Sequence, residues 1–407
     1  MPADDASPPS AANALSGRGA LAALEARYAL EPRAFVRRNQ VGFLRDGEQA
    51  YPAMLEAIAR ARKTVRLETF IFADDATGHR FARALADAAE RGVEVTVLYD
   101  AIGSWASHGG FFRAMRRRGI RARAFNPIWP WPGLLRLIRR DHRKLLATDG
   151  TVAFVGGINI SDDWAPERLG GRNWRDDVMR IEGPVVAQLE GVFRATWRSV
   201  VQSVTARLQH REPPARLEPP GAIAPGPPHG DHAVAIYAAR RAIHRAYVHA
   251  IDAAQRQVLI ASSYFVPDRA MLAALRRARD RGVEVALILP GLSDHYSVLM
   301  AGRAFYGRLL RWGVQVHEWQ GRIFHAKSAV IDGVWGTMGS FNLDRWSLHF
   351  SHELNAVFAD PTLGRSLQAA FERDRETCLA VTLPLWKSRP RWRRLMEWFF
   401  GRFDRFM

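Results

Sequence analysis

This chain carries two copies of one reactive segment, so its fold must contain the same unit twice. DHRKLLATDG holds His142, Lys144 and Asp149, and FHAKSAVIDG holds His325, Lys327 and Asp332; each pair is 183 residues apart. The offset persists downstream, where GGIN (Gly156, Gly157, Asn159) is answered by GSFN (Gly339, Ser340, Asn342). Lysine occupies only Lys63, Lys144, Lys327 and Lys387, yet two of the 13 histidines have a lysine two places on. A lone histidine is more often an ordinary core or surface side chain than a catalyst, and the duplication reverses that preference. A shorter repeat, RGVEV, occurs at Arg91–Val95 and Arg281–Val285. Internal repetition of this kind takes precedence over every other sequence signal.

Around each RGVEV the local pattern is the same. A helical stretch precedes it, with Phe81, Leu85, Ala88 and Ala89 at helical spacing in the first copy and Leu272, Leu275 and Arg279 in the second. A strand follows, Val93–Asp100 or Val283–Pro290, and another precedes the helix, Thr64–Phe72 or Gln257–Phe265. These runs are too apolar for a half-exposed sheet. Strands alternating with helices imply an α/β fold in which each half is a mostly parallel, buried sheet flanked by helices. Between Pro213 and Pro228 there are seven prolines, which excludes a core helix or central strand. The expected organisation is a partly disordered leader (1–38), a first half (39–210), a proline-rich linker (211–232), a second half (233–380) and a basic aromatic tail (381–407).

In a strand, residues i and i+2 share a face, so His142 and Lys144 point the same way, as do His325 and Lys327. Two such halves face to face would gather two imidazoles, two ammoniums and the amides of Asn159 and Asn342. That set suits a phosphodiester, whose oxygens want fixed positive charge and hydrogen-bond donors. In-line displacement also wants a nucleophile on one side and an acid on the other. An imidazole used this way needs its remote nitrogen tied to a carboxylate. Asp176 lies 34 residues past His142, and Glu353 lies 28 past His325. Asp177 competes with Asp176.

Composition narrows the partners. The net charge of +17 favours nucleic acid or an anionic membrane surface. The single cysteine, Cys378, excludes an internal disulfide and a cysteine-rich metal site. The first twenty residues contain Asp4 and Asp5 and no apolar core, so they do not read as a secretory signal. No stretch approaches the roughly 18 consecutive apolar residues of a spanning helix.

The doubled His/Lys/Asp motif resembles the signature of the phospholipase D superfamily, over about Val41 to Leu379. Within it, HRKLLATDGTVAFVGGINISDDW, NWRDDVMRIEGPVV and ASSYFVPDRAMLAALRRARDRGVEVALILPG are similar to blocks of bacterial cardiolipin synthases, most like the B type. Two positions depart from that pattern: Ser351 stands where asparagine is usual, and Gly157 stands where the second half has Ser340. The resemblance implies two homologous phospholipase D-like halves packed with pseudo-twofold symmetry around one active site. It implies phosphatidyl transfer between phospholipids, with phosphatidylglycerol as donor or acceptor, by a two-step mechanism needing no metal and no cofactor. The nucleophile is then His142, forming a phosphohistidine, and His325 is the acid and base. The candidate catalytic set is His142, Lys144, Asp149, His325, Lys327, Asp332, Asp176 and Glu353, with Asn159 and Asn342 binding substrate. Within it, Asp149 and Asp332 are expected to be structural.

Two segments point to lipid. In the tail, Trp392, Leu395, Met396, Phe399, Phe403 and Phe406 form one helical stripe, with Arg393, Arg394, Glu397, Asp404 and Arg405 largely away from it. Such a stripe suits either an interfacial helix on anionic lipid or docking on the protein's own body. Ahead of the first motif, Trp129, Trp131, Leu134, Leu135, Leu137 and Ile138 form an apolar segment suited to the mouth of a lipid site. The expected location is therefore peripheral, on the cytoplasmic side of the inner membrane. The alternatives are phospholipid hydrolysis, a superfamily nuclease acting on DNA, or an inactive binding module; intact motifs in both halves argue against the last.

Overall fold

The computed structural model describes residues 11–107, 109–127, 138–208 and 228–402. The first part of the chain comprises α1 (Ala11–Tyr28), β1 (Val36–Arg45), α2 (Asp46–Arg60), β2 (Thr64–Thr69), α3 (Ala76–Glu90), β3 (Glu94–Asp100), α4 (Gly109–Arg117), β4 (Arg121–Phe125), β5 (Leu145–Thr148), β6 (Val152–Gly156), β7 (Asp177–Glu182) and α5 (Val186–Leu208). The second comprises β8 (His232–Tyr237), α6 (Arg240–Ala253), β9 (Gln257–Ser262), α7 (Arg269–Asp280), β10 (Glu284–Pro290), α8 (Tyr296–Arg303), α9 (Tyr306–Arg311), β11 (Gln315–Trp319), β12 (Lys327–Ile331), β13 (Trp335–Gly339), α10 (Arg345–His349), β14 (Asn355–Ala359), α11 (Pro361–Glu376), β15 (Cys378–Val381), α12 (Leu383–Ser388) and α13 (Arg391–Arg402). Most of the seven-proline segment, and Trp129, Trp131, Leu134, Leu135, Leu137, Phe403 and Phe406, lie outside the described residues.

The duplication is visible in the strand order. The first half runs β4-β3-β2-β5-β6-β7-β1 and the second β11-β10-β9-β12-β13-β14-β8, with β15 added at the far edge beside β11. The halves meet where β1 pairs antiparallel with β8 through Val36–Val234 and Asn39–His232. Local chemistry is duplicated too. Asp75 caps α3 through the N–H of Gly78, and Asp268 caps α7 through that of Met271.

The expectation of a mostly parallel sheet is corrected. Only β2-β3-β4 and β9-β10-β11 are parallel, where helices carry the chain across. The motif strands β5 and β12 are antiparallel to both neighbours. Toward β6 and β13 the cause lies in Asp-Gly: Asp149 and Gly150 have φ of 54° and 68°, and Asp332 and Gly333 have 55° and 66°. Two successive left-handed residues make a tight hairpin turn, which can only join antiparallel strands.

Buried side chains sort into three layers. One joins α2, α3 and α4 to a face of the first half's strands, through residues such as Tyr51, Phe81, Phe112, Leu67 and Leu146. Another joins α6 and α7 to the second half, through Tyr247, Leu275, Leu287 and Ile331. The central layer belongs to both halves: Phe193 of α5 and Phe371 of α11 share it with Leu145, Met179, Val330 and Met338. Burying each such side chain stabilises the fold by about 1.5–3 kcal/mol, so much of the folding energy resides between the halves.

The expected leader is folded over its later part. Tyr28 is buried, and its hydroxyl donates to Asp332 Oδ2 at 2.7 Å. Arg37 pairs with buried Glu25 at 2.6 Å. Residues 36–38 begin β1 rather than preceding the fold.

Candidate active site

His142 and His325 lie just before β5 and β12, in extended segments that reach across to the other half. His142 N–H donates to His352 O at 3.0 Å, and His352 N–H donates back to Arg140 O at 2.8 Å. His325 N–H donates to Arg175 O at 2.7 Å, and Arg175 N–H donates to Ile323 O at 2.9 Å. Each histidine is thereby strapped to the segment leading to a carboxylate of the opposite half.

The carboxylates follow that crossing. His142 Nδ1 lies 3.2 Å from both oxygens of Glu353. His325 Nδ1 lies 2.7 Å from Asp176 Oδ2. Sequence spacing placed Asp176 after His142 and Glu353 after His325; the structure pairs them the other way round. Asp176 is separated from its competitor, since Asp177 pairs with Arg175 at 2.7 Å and accepts from Ser328 Oγ at 3.2 Å. With Nδ1 occupied, Nε2 is the nitrogen left for chemistry on each ring.

The two halves support their carboxylates differently. Ser340 Oγ donates to Glu353 Oε2 at 2.5 Å. The matching Gly157 has no room for a side chain, because a Cβ there would lie 2.3 Å from Asp176 Oδ1. Asp176 instead accepts from the Trp164 indole at 3.0 Å and from the Asp177 N–H at 2.8 Å. The other departure, Ser351, is buried with its N–H on Trp346 O.

Both lysines are buried beside their histidines. Lys144 Nζ donates to His142 O at 2.6 Å and sits over the Phe70 ring at 5.4 Å. Lys327 Nζ donates to Ser263 Oγ at 2.8 Å and lies 6.0 Å from the centre of the Tyr264 ring. Burial pushes Lys144 down to about 7 and Lys327 down to about 8, against nearby carboxylates. Burial, then Lys144 and Lys327, hold His142 below its usual range. Burial, then Lys327, with Lys144 and His142, hold His325 well below it. Each imidazole therefore feels both ammoniums, as groups sharing one site must. Burial raises Asp176 to about 6. Burial works the same way on Glu353, but His142, Lys144 and the Ser340 hydroxyl outweigh it and leave Glu353 below its usual range.

Asn159 Oδ1 accepts from Ile71 N–H at 3.0 Å and Thr69 Oγ1 at 3.4 Å, and Asn342 Oδ1 accepts from Ser263 Oγ at 2.8 Å. With the carbonyl ends tied, the NH2 ends are the donors left for an anion. Asp149 and Asp332 do not join this group. Asp149 accepts the N–H groups of Arg62, Lys63 and Thr64 at the start of β2. Asp332 accepts those of Gln255, Arg256 and Gln257 at the start of β9. Within the candidate set they stand apart as turn residues, each anchoring a neighbouring strand.

Sequence reasoning did not single out Phe70, Trp164, Arg175, Ser263, Tyr264 or Asp374. Buried Arg175 bridges the halves, with Nε 3.1 and 3.0 Å from the carboxylate oxygens of Asp374 on α11. A residue-type signal existed for Ser263 and Tyr264, since polar side chains close the apolar run of β9.

A family model described as "Cardiolipin synthase, PLD-like domain" matches residues 54–197 and 247–375. The chain belongs to the cardiolipin synthase family of phospholipase D-like enzymes. It is 36% identical over 341 residues to cardiolipin synthase B of Salmonella typhi, covering 81% of this chain and 79% of that one. It is 33% identical over 348 residues to cardiolipin synthase A of Pseudomonas aeruginosa (strain LESB58), covering 84% and 68%. A crystal structure of phosphatidylserine synthase from Haemophilus influenzae shares the fold, with a TM-score of 0.68 at 12% identity over 91% of this chain and 94% of that one. Both doubled motifs fall inside the matched family segments, so membership and the crossed site describe the same residues.

Proposed function

We propose that this enzyme transfers a phosphatidyl group from one phospholipid, phosphatidylglycerol above all, to the alcohol of another through a covalent phosphohistidine on His142. The observation that carries this reading is the crossed pairing, which sets two imidazoles and two ammoniums in one buried site. Neutral His142 attacks phosphorus through Nε2 while Glu353 holds its Nδ1–H. The bond from phosphorus to the leaving alcohol breaks, and His325 Nε2 gives that oxygen its proton. The acceptor O–H then passes its proton to His325, its oxygen bonds phosphorus, and the P–N bond to His142 breaks. Lys144, Lys327 and the NH2 groups of Asn159 and Asn342 hold the phosphoryl oxygens, compensating charge that grows in the transition state. The entering anion also offsets the ammonium charges that hold His325 low, favouring the protonated acid. The two supporting carboxylates titrate apart, as an acid and a nucleophile require.

The tail supports a peripheral membrane position. No helix among the described residues is long and apolar enough to cross a membrane. Instead α13 docks on the body by Phe400 against Tyr296 of α8, with Glu397 buried on Arg389 just ahead of the helix at 2.7 Å. Trp392, Leu395, Trp398 and Phe399 stay outside, 57%, 62%, 58% and 48% exposed. This helix therefore both docks on the body and presents an aromatic face flanked by Arg391, Arg393 and Arg394. Such a face suits the anionic cytoplasmic leaflet.

The test is to incubate the purified protein with phosphatidylglycerol vesicles and identify products by mass spectrometry. Cardiolipin and free glycerol in equal amounts are expected from the native chain and from neither His142→Ala nor His325→Ala. Phosphatidic acid alone would assign hydrolysis instead, and cleaved DNA in a parallel reaction would assign the nuclease reading.

A further inference from the structure

The two histidine straps are closed by arginines that do not correspond in sequence. Arg175 precedes Asp176, and its Nη1 donates to Asp176 O. His352 stands at the matching place before Glu353. There the guanidinium comes from the other strand: Arg143, which follows His142, donates from Nε to Glu353 O at 3.1 Å. Ala326 stands at the matching place after His325. Each carboxylate residue that supports a histidine therefore has its own main-chain carbonyl held by a buried arginine. The helix contacts match as well. Arg175 Nε lies 3.1 Å from Asp374 Oδ1, three residues past Phe371 of α11. Arg143 Nη1 donates to Thr196 Oγ1 at 2.7 Å, three residues past Phe193 of α5, and its Nη2 donates to Ala238 O at 3.1 Å, just past β8.

Arg143 also belongs to a charged trio that the second half lacks. Glu68 of β2 lies opposite Leu145 of β5, and Ala261 of β9 lies opposite Ser328, 183 residues on from Leu145. Glu68, Asp141 and Arg143 thus correspond to Ala261, Phe324 and Ala326, which are buried in the central apolar layer. The three charged side chains are buried too, and Glu68 Oε1 lies 3.6 Å from Arg143 Nη1. Burial raises both acids, and Glu68 helps to push Asp141 well above its usual range, which leaves Glu68 to balance Arg143. Buried charge is costly. The second half closes the same strands over apolar side chains, so the fold alone does not call for the trio.

We propose that Arg143, braced by Glu68, is a positioning residue for His142: it fixes the Glu353 main chain, and through the Glu353 carboxylate it aims the attacking imidazole. Arg175 holds Asp176 for His325 in the same way, so the two straps reach one arrangement through different residues. A carboxylate off its place lets the ring of His142 turn, and a small loss of alignment costs a large factor in rate. The proposal rests on the phosphohistidine reading above and adds to it the residue that sets the attacking group.

The experiment compares the native enzyme with Arg143→Met, Arg143→Lys and Glu68→Gln on a p-nitrophenyl phosphodiester donor, following the burst of nitrophenolate that reports attack by His142. Arg143→Met should slow the burst by about 10–100-fold, with the KM for the donor within about twofold of native. Arg143→Lys, which keeps a cationic donor, should recover part of the loss. Glu68→Gln, a nearly isosteric change, should slow the burst in the same direction by less, and it carries the same readouts should Arg143→Met not fold. In histidine-labelled protein, both Arg143→Met and Glu68→Gln should shift the Nδ1 resonance of His142 and leave that of His325 nearly in place, which a general loosening of the fold would not do. A burst rate unchanged in these variants, or an equal shift of both histidines, would overturn the positioning role. A native enzyme without any burst would instead contradict the phosphohistidine reading, and the His142 resonance would still decide for or against the role of Arg143.

Discussion

Glu353 places both carboxylate oxygens 3.2 Å from His142 Nδ1, although the two residues stand 211 positions apart and belong to different halves. The reciprocal contact, Asp176 to His325, closes the pattern. Neither half holds both members of either of these two pairs. One active site for two motifs is therefore a consequence of how the halves close, and the duplicated sequence does not amount to two independent sites.

The two histidines should differ when the leaving group needs no acid. With a p-nitrophenyl phosphodiester donor, His325→Ala should still release a burst of about one equivalent of nitrophenolate and then stall. His142→Ala should show no burst, and both should lose about 10³-fold or more in lipid transfer. A burst in His142→Ala and none in His325→Ala would reverse their roles.

Stability and activity should respond oppositely to alkali. Burial brings Lys144 to about 7 and Lys327 to about 8, below their unfolded value of about 10.4. Between pH 7 and 10 the unfolded chain therefore binds more protons than the folded one, and the stability of the free protein rises with pH. Over the same window the ammoniums lose the charge that holds phosphate. Calorimetry should show Tm rising from pH 7 to 9 while kcat/KM falls. Lys144→Met should flatten the rise, and a Tm that falls over this range would contradict the burial of these charges.

The exposed face of α13 should govern lipid binding without governing chemistry. Leu395→Ser with Phe399→Ser removes apolar area worth about 1.5–3 kcal/mol per side chain in a bilayer interface. Sedimentation with phosphatidylglycerol vesicles should show at least a tenfold loss of binding, while cleavage of a soluble short-chain phosphodiester persists. Unchanged sedimentation would remove α13 from the membrane-facing surface.

The N-terminal segment should matter to stability. Tyr28→Phe deletes a hydroxyl donating to Asp332 and should cost about 1.5–3 kcal/mol in urea unfolding, as for a hydrogen bond to a charged group. No measurable loss would mean that the segment is not held to the second half.

Much of this was legible because the duplication marks it. The shared offset of His142, Lys144, Asn159 and their partners identified the reactive residues and implied two similar halves. The mixed sheet was legible in Asp-Gly, which dictates a hairpin, but the apolar runs of β2, β3, β9 and β10 dominated the reading. The crossed pairing was not legible: spacing along a chain reports order within a half and carries no information about which half a segment pairs with. Ser263 and Tyr264 left only the trace of polar side chains after the apolar run of β9, because their register against the first half differs from that of the motif. Tyr28 follows an alanine- and leucine-rich stretch with no one-sided apolar stripe to mark it as a docking helix.

The most direct test of the crossed closure is NMR of histidine-labelled protein, observing the ring nitrogens of His142 and His325. Glu353→Gln should shift the Nδ1 resonance of His142 and leave that of His325 nearly in place, and Asp176→Asn should do the reverse. If each substitution instead perturbs the histidine of its own half, the carboxylates do not cross and the single shared site is wrong.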